Sequence, residues 1–579
     1  MDENDIPQNT QEEYSNEGLY IPESFTEEEE IILKQFFTNT DKKVFCIINL
    51  PEEVIGALSS LYSRSTKSMR RLFLDYFVSP ILDFDESTLS EDEVSSYREV
   101  RERFKRVIDA MASGDNIESI SNTERGRVFY ETWYNKFGDD SIIEQVGIHM
   151  GFEDVSNMVT DAIKALNLPH ISKSSRYVPW SEKDKAGNYK FVIPEEIKGT
   201  EFEERYTAIM SEIFSLYAEL EVSYFEYIKE KYPKGDDETE KSFSTSRKAR
   251  TFDDLRDLLP FATKTNFGTF GNARTYKLLI DQMMASPFKE VRDIAQMMYE
   301  EISKVTPSLI SGVKTERGRA LQSYIRNFRE WTRSLSIKRE GREEPSQDKL
   351  VQLISVFPET DAIEEIIAQL IFSESVGVTY GEIFEFVKSR YTEDQKKDFF
   401  KQILAIRTDG TDKKRESVRR RELPLAFEHV RLVFDCILKG GDCRDIWRHR
   451  FIRFSHQPFT TLNGFSLEKD LEEFKDYDKI KAIFSKIDLL YKEMSSQNIE
   501  SSQYVVPFGF LQRFLMEGSI RQLFWMIELR SGPQGRIHYR NFVLQLAEII
   551  EDRFPELSSL LFQDRAQYPI SRREEAKKK

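Results

Sequence analysis

Two stretches of this chain alternate apolar and polar residues with a period of two. The first holds Val146, Ile148, Met150 and Phe152, and the second, far downstream, holds Val430, Leu432, Phe434 and Cys436. Successive strand side chains point to opposite faces, so each run predicts a half-buried strand. Helical spacing follows each run. Val155, Met158, Val159, Ala162 and Leu166 mark it after the first, and a shorter set, Cys443, Ile446 and Trp447, after the second. From Leu50 to about Phe137 apolar positions such as Met69, Leu72, Phe73 and Phe77 recur three and four apart, predicting a mostly helical stretch. A strand is expected to start at Val178.

The two strand–helix patterns predict a duplication. Ser141–Gln145 corresponds to Leu425–His429, and at the same offset of 284 residues Lys164-Ala165-Leu166 meets Arg448-His449-Arg450, and Arg176 meets Thr460. Further on, Leu259-Pro260-Phe261 matches Val506-Pro507-Phe508, and Arg274 matches Arg521, at an offset of 247. Glu290-Val291-Arg292 and His538-Tyr539-Arg540 follow with one residue of slippage. The drop in offset places an insertion of 37 residues in the first copy, within 181–260. The expected fold is therefore α+β: two diverged copies of one domain, helix-rich with small antiparallel sheets. The first copy would span 41–335 and the second 350–570, joined by a polar linker at 336–349 that is broken by Gly and Pro. A second polar stretch, 408–422, reads as a solvated loop.

Charge refines this picture. Residues 1–30 hold eleven acidic residues and no Lys or Arg, leaving −6 of the net −17 for the rest of the chain. An acidic, disordered tail over 1–40 is expected, and a body so mildly acidic is not expected to bind nucleic acid polymers. No apolar run of eighteen residues and no signal-peptide pattern occurs, so the expected setting is cytoplasmic, without a membrane partner. Three cysteines, Cys46, Cys436 and Cys443, fit neither a disulfide framework nor a zinc site, and no other metal set is expected. Cys443 reads as a core residue, with a nucleophilic thiol as the alternative.

Arg448-His449-Arg450 is the first candidate site. Two planar guanidinium groups can grip phosphate oxygens in pairs, and a histidine can stack on a ring or change charge near neutral pH. A solvated helix end is the plainer alternative. Ser174-Ser175-Arg176-Tyr177 is the second, a compact cradle for phosphate or carboxylate, or else an ordinary turn. Later arginines form a third set: Arg274 and Arg292, then Arg521, Arg530 and Arg540. Four of the six histidines, His429, His449, His456 and His538, fall beside these groups in the second copy.

With these residues in view, the chain resembles the flavin-dependent thymidylate synthase family, in its tandem, double-length form. The family signature runs Arg-His-Arg-x-x-Ser-x-Asn-Glu-x-Ser-x-Arg-Tyr and follows a strand that opens with Phe-Glu-His. Here Phe427-Glu428-His429 and Trp447-Arg448-His449-Arg450 carry its first part, and Ser174-Ser175-Arg176-Tyr177 its last. The resemblance implies that Arg448, His449, Arg450, Glu428, His429 and Arg530 bind FAD. It implies that Ser174, Ser175, Arg176, Tyr177, Arg292 and Arg540 bind the nucleotide dUMP. It also implies methyl transfer to give dTMP, with methylenetetrahydrofolate and NADPH as co-substrates, and a homodimer standing in for the family's tetramer, its site composed from both copies. Hydride delivery by flavin needs no attacking cysteine. No catalytic side chain is nominated. The sequence departs from the signature between the two halves. Asp445 stands where the family has Gln, Ser455 and His456 where it has Asn and Glu, and Pro458–Thr461 replaces the Ser-x-Arg-Tyr end. A flavin- or nucleotide-binding homologue with altered or lost catalysis is the alternative.

Overall fold

A computed structural model of the chain describes residues 20–82, 98, 102, 144, 146–175, 178–184, 186–337, 349–408, 418–568 and 570. Its strands, in chain order, are β1 (Val44–Ile47), β2 (Gly147–Val155), β3 (His170–Ser172), β4 (Thr265–Asn272), β5 (Val351–Phe357), β6 (Arg431–Lys439), β7 (Arg453–His456) and β8 (Leu511–Ser519). The helices that matter to the argument are α1 (Glu27–Phe36), α2 (Asn157–Lys164), α3 (Phe202–Lys231), α4 (Glu240–Leu255), α5 (Ala273–Met284), α6 (Lys289–Val305), α7 (Glu316–Ser334), α8 (Gly440–Ile446), α9 (Tyr477–Gln497), α10 (Ile520–Arg530) and α11 (Ile537–Arg553).

The strands form two antiparallel four-stranded sheets of the same topology, β1-β2-β4-β3 and β5-β6-β8-β7. The sequence offsets reappear in the elements. β2 and β6 start and end 284 residues apart, α5 and α10 start 247 apart, and α6 and α11 start and end 248 apart. Even the helix caps correspond. Asn272 accepts from the Thr275 N–H at the start of α5, and Ser519, at the matching position, forms a capping box with Gln522 at the start of α10. Each such cap is worth about 1 kcal/mol. The chain is thus α+β with two copies of one sheet-and-helix domain.

Two compact units result. One combines the chain up to Ser174 with Lys264–Ser334, and the other combines Ser175–Thr263 with the chain from Leu335 onward. In the first, Ile148, Met150 and Phe152 of β2 and Phe267 of β4 pack on Tyr276, Leu279 and Met283 of α5 and Val291, Ile294 and Met298 of α6. Gly151 lets β1 approach, since a Cβ there would lie 2.4 Å from the Phe45 ring. In the second unit Leu432, Phe434 and Cys436 of β6 are buried, as are Phe514 and Met516 of β8, Leu523 and Ile527 of α10, and Phe542 and Leu546 of α11.

The inserted segment of the first copy folds with the second unit. There α3 packs along α9. Ion pairs Arg205–Glu493, Glu212–Lys486 and Glu219–Lys479 join the two helices at steps of seven residues, ascending on one and descending on the other. Exposed pairs add at most about 1 kcal/mol each, but they fix an antiparallel register. Beyond α4 the two aligned Pro-Phe motifs meet. Phe261 N–H donates to Val506 O at 3.0 Å and Phe508 N–H to Leu259 O at 2.9 Å, with Pro260 opposite Pro507. A second pair of bonds, Ala262 N–H to Tyr504 O and Gly509 N–H to Asp257 O, obeys the same 247-residue correspondence. The aligned segments are therefore related by a local two-fold axis inside one unit.

Two sequence expectations change. The acidic tail does not extend to residue 40. Thr26 and Glu29 form a capping box, and α1 buries Leu33 and Phe36. No strand starts at Val178; the short strand β3 lies earlier, at 170–172. In the stretch from Leu50 to Phe137, helices cover Glu52–Tyr62 and Met69–Phe73, and most positions beyond 82 lie outside the described residues. Residues 338–348 of the expected linker and 409–417 of the polar stretch also lie outside them.

Candidate functional site

The second unit carries a buried charge network that sequence reading missed. Lys439 ends β6 with no exposed surface, and its Nζ donates to Asp257 Oδ2 at 2.8 Å and Glu468 Oε1 at 3.0 Å. Arg536 Nη1 bonds Asp257 Oδ1 and Asp442 Oδ1, both at 3.0 Å, and its Nη2 bonds Asp257 Oδ2 at 2.9 Å. Arg256 Nη2 bridges Asp442 and Asp445 at 3.0 Å each, and His538 Nδ1 lies 2.9 Å from Asp442 Oδ2. Burial opposes the charge on Asp442, but Arg536 and Lys439 hold its carboxyl well below the usual range. Burial likewise opposes the charge on Glu468, and Lys439, Arg536 and Arg250 overcome it in the same direction. Cations and carboxylates thus pair with one another, although Arg256 Nε, Arg536 Nε and His538 Nε2 are buried without a hydrogen bond.

The network joins two sequence halves. Arg256 and Asp257 follow α4 in the first half, whereas Lys439, Asp442, Asp445, Glu468, Arg536 and His538 belong to the second. All of them are at most 9% exposed, so the network is a floor, closed to ligands. Its sequence signal is Lys439, a cation ending an apolar strand where the other copy has Val155, with the Arg256-Asp257 pair just before the aligned Leu259-Pro260-Phe261.

The triplet follows α8, which ends at Ile446 with Trp447 as its cap. Arg448 and Arg450 are exposed and His449 is buried. His449 Nε2 accepts from Arg530 Nε at 3.0 Å, which puts the ring proton on Nδ1. Burial, and then Arg530, push the His449 pKa down to about 3. The ring therefore stays neutral, and the expectation that it changes charge near neutral pH does not hold. Arg444, one helical turn before Arg448, feels burial first and then Arg256 and Arg448, which press its pKa down to about 9. The α8 terminus thus concentrates positive charge. Beside it Trp447, His456 and Phe459 stack with centroids 4.9 Å apart at each step, and Phe261 lies 3.8 Å beyond Phe459. His456 is exposed, with its ring stacked against Trp447 and Phe459.

Other nominated residues have structural partners. Glu428 receives Arg521 Nη1 at 2.7 Å; in the first unit Glu144 receives Arg274 Nη1 at 2.5 Å. These two pairs occupy corresponding positions, so the contact belongs to the duplicated fold. His429 is exposed, 3.7 Å from Glu365. Arg292 donates to the carbonyls of Ser286 and Pro287, and Arg540 to those of Ser531, Asp564 and Ala566. Both brace the turn after an equivalent helix, and Arg540 is 3% exposed. The Ser174 N–H bonds Ser63 O, and Ser175 is buried. Arg176 and Tyr177 lie outside the described residues. Cys443 is fully buried beside the Leu438 carbonyl, and burial pushes the Cys46 and Cys436 thiols up, which fits core residues.

The sequence pattern of the thymidylate synthase complementing protein family matches this chain twice, over residues 90–308 and 352–556. The chain belongs to that family. The two matches make it a tandem, double-length member, in keeping with the paired sheets. A UPF0159 protein of Chlamydia muridarum is 29% identical over 561 residues, covering 96% of this chain and 98% of its own length. A second, from Chlamydia pneumoniae, is 28% identical over 93% of this chain and 95% of its own. One from Thermoplasma acidophilum is 26% identical over 80% and 95% respectively.

Proposed function

We propose that this family member is a flavin-dependent thymidylate synthase-type enzyme, converting dUMP to dTMP with methylenetetrahydrofolate and NADPH. The observation that carries the reading is the α8 terminus, where Arg448 and Arg450 face outward from a neutral His449 fastened to Arg530. That cationic end fits the pyrophosphate of FAD. Two guanidinium forks supply bidentate, charge-assisted donors, and a rooted backbone limits the entropy lost on binding. The exposed His456 ring, backed by Trp447 and Phe459, suits a flat heterocycle. Bound FAD would supply the hydride chemistry. The protein's own share is to orient flavin and nucleotide and exclude water. In this proposal Ser174, Ser175, Arg176 and Tyr177 anchor the nucleotide phosphate, Glu428 and His429 border the flavin side, and the protein works as a cytoplasmic homodimer. Among the described residues no helix is long and apolar enough to cross a membrane.

A second reading, a flavin or nucleotide binder with altered catalysis, draws on one observation. Asp445, at the family's Gln position, is committed to Arg256 at 3.0 Å. A carboxylate held in an ion pair cannot offer a ring the paired donor and acceptor of an amide.

Flavin absorbance during FAD titration of the full chain, followed by dUMP addition and assay of dTMP, separates the readings. Saturable FAD binding with dTMP formation is expected. Replacing Arg448 and Arg450 together by Ala should weaken FAD binding by about 100-fold, since a charged hydrogen bond contributes about 1.5–3 kcal/mol. Absence of FAD binding to the unaltered chain would overturn the proposal, and binding without turnover would establish the second reading.

A further inference from the structure

In the first unit, the turn that joins α5 to α6 borders a cleft of about 400 Å³. Arg326, Arg329 and Arg333 of α7 line it, and their spacing of three and four puts them on one helix face. Arg292, from the first turn of α6, joins them. Among the described residues the lining holds one carboxylate, Glu330, so four cations meet one anion and the cleft carries +3. The whole chain, by contrast, carries −17. Guanidinium groups gathered around one space repel one another, and a bound anion removes that cost.

Two of the four arginines are held by backbone. Arg292 Nη1 donates to Ser286 O at 2.8 Å and to Pro287 O at 2.9 Å, and Arg329 Nη1 donates to Ala285 O. The helix beneath is fixed too, because Gln322 donates to Asp281 and to Val313 O. Among the described residues Arg292 makes no bond through Nε or Nη2, and Arg326 makes no hydrogen bond or ion pair. The second copy closes the equivalent position with its own chain. Arg540, the counterpart of Arg292, donates through Nη2 to the carbonyls of Asp564 and Ala566 and is 3% exposed. Arg292 stays half-buried. Helix α7 also lies beyond residues 90–308, the first stretch that the family pattern matches. The open cleft therefore belongs to the first unit and not to the duplicated domain.

We propose that this cleft binds the phosphate chain of a small molecule that carries two or three linked phosphates. Charge selects that class, since a lone carboxylate would leave most of the +3 unmatched. Geometry agrees. Each guanidinium fork takes two oxygens of a phosphate, and several forks on one face call for several phosphates. Arg326 and Arg333 stand about 10 Å apart along α7, a span that suits a chain of phosphates better than one. The volume lies at the small end of the usual range for small-molecule sites, roughly 300–1,000 Å³. Ala285 and Pro287 are the apolar part of the lining, and neither offers a ring for a base to stack on. Any sugar or base attached to the phosphates projects outward. A nucleic acid polymer is disfavoured by the net charge of −17. The cleft is independent of the flavin reading, which uses Arg448 and Arg450 for FAD and Ser174, Ser175 and Arg176 for the nucleotide phosphate.

Calorimetric titration of the full chain with inorganic tripolyphosphate tests the proposal. R448A/R450A serves as the starting protein, so that the triplet cannot contribute. Saturable binding is expected, and adding R326Q/R333Q should weaken it by about tenfold for each fork lost. R326K/R333K keeps the charge but not the forks and should fall between. In the otherwise unaltered chain R326Q/R333Q should leave the FAD titration as it was, which separates lost binding from lost fold. ATP should bind about as tightly as tripolyphosphate, and inorganic phosphate and AMP about tenfold or more weaker. The proposal fails if R448A/R450A does not bind tripolyphosphate, if R326Q/R333Q changes nothing, or if inorganic phosphate binds equally well. It also fails if ATP is preferred over tripolyphosphate by more than about tenfold, because the cleft would then read the base.

Discussion

At the end of the long central strand the two units diverge. In the first, β2 ends in Val155 and α2 begins under a Ser156 cap, with Met158, Val159 and Ile163 buried beneath it. In the second, β6 ends in Lys439 and α8 begins on two glycines, with Asp442 and Asp445 buried instead. The substitutions are coordinated. Ala165 and Met283 stand where His449 and Arg530 meet, and Glu290 stands where His538 meets Asp442. One copy keeps the corner as a packed apolar joint. The other has made it ionic, and there the outward arginines are found.

The largest test of that contrast removes the ionic keystone. Arg536→Met leaves Asp257 and Asp442 buried with fewer cations, and uncompensated buried charge costs about 3–5 kcal/mol. Urea unfolding of the full chain should show a loss of that size, partly restored by adding Asp257→Asn. A loss under about 1 kcal/mol would mean that the corner is not held ionically.

His449 gives a test readable in pH. Its folded pKa of about 3 lies below the ordinary value of 6.5, so the folded state refuses a proton that the unfolded chain accepts. Stability from this group is complete above pH 6.5 and is lost as pH falls toward 3. At pH 5 the loss amounts to about 2 kcal/mol. His449→Gln should flatten the unfolding profile between pH 7 and 5 relative to the unaltered chain. Ala165, its counterpart, contributes nothing there, so an unchanged slope would remove this difference between the copies.

The sheets were legible because alternation and duplication reinforce one another. Val146–Phe152 and Val430–Cys436 each suggest a strand, and a common offset makes the pair convincing. The triplet was legible as a cationic cluster because Arg448 and Arg450 are exposed just past a helix end. The ionic floor was not, since Asp and Arg ordinarily lie at the surface and nothing in Arg256-Asp257 alone says that Arg536 covers it. Helix α3 escaped notice for a related reason. Its register with α9 is marked by Arg205, Glu212 and Glu219, whose seven-residue steps acquire meaning only against Glu493, Lys486 and Lys479. Arg540 was misleading because an arginine that braces carbonyls and one that binds phosphate have the same sequence signature.

The smallest effect comes from the apolar corner. Ser156 Oγ donates to Glu290 Oε2 at 2.5 Å and accepts from the N–H groups of Met158 and Val159, while its own N–H reaches Glu290 Oε1. Ser156→Gly installs the residue that the second copy carries at Gly440. A glycine cap costs only a few tenths of a kcal/mol, and losing the bond to a carboxylate adds about 1.5 kcal/mol, the low end for a charged acceptor. Packing of Met158, Val159 and Ile163 should hold the rest, so the thermal transition should shift slightly and keep its shape. A loss approaching that of Arg536→Met would show that the first corner also depends on its polar pair, and the two copies would then differ in which charges they use rather than in whether they use them.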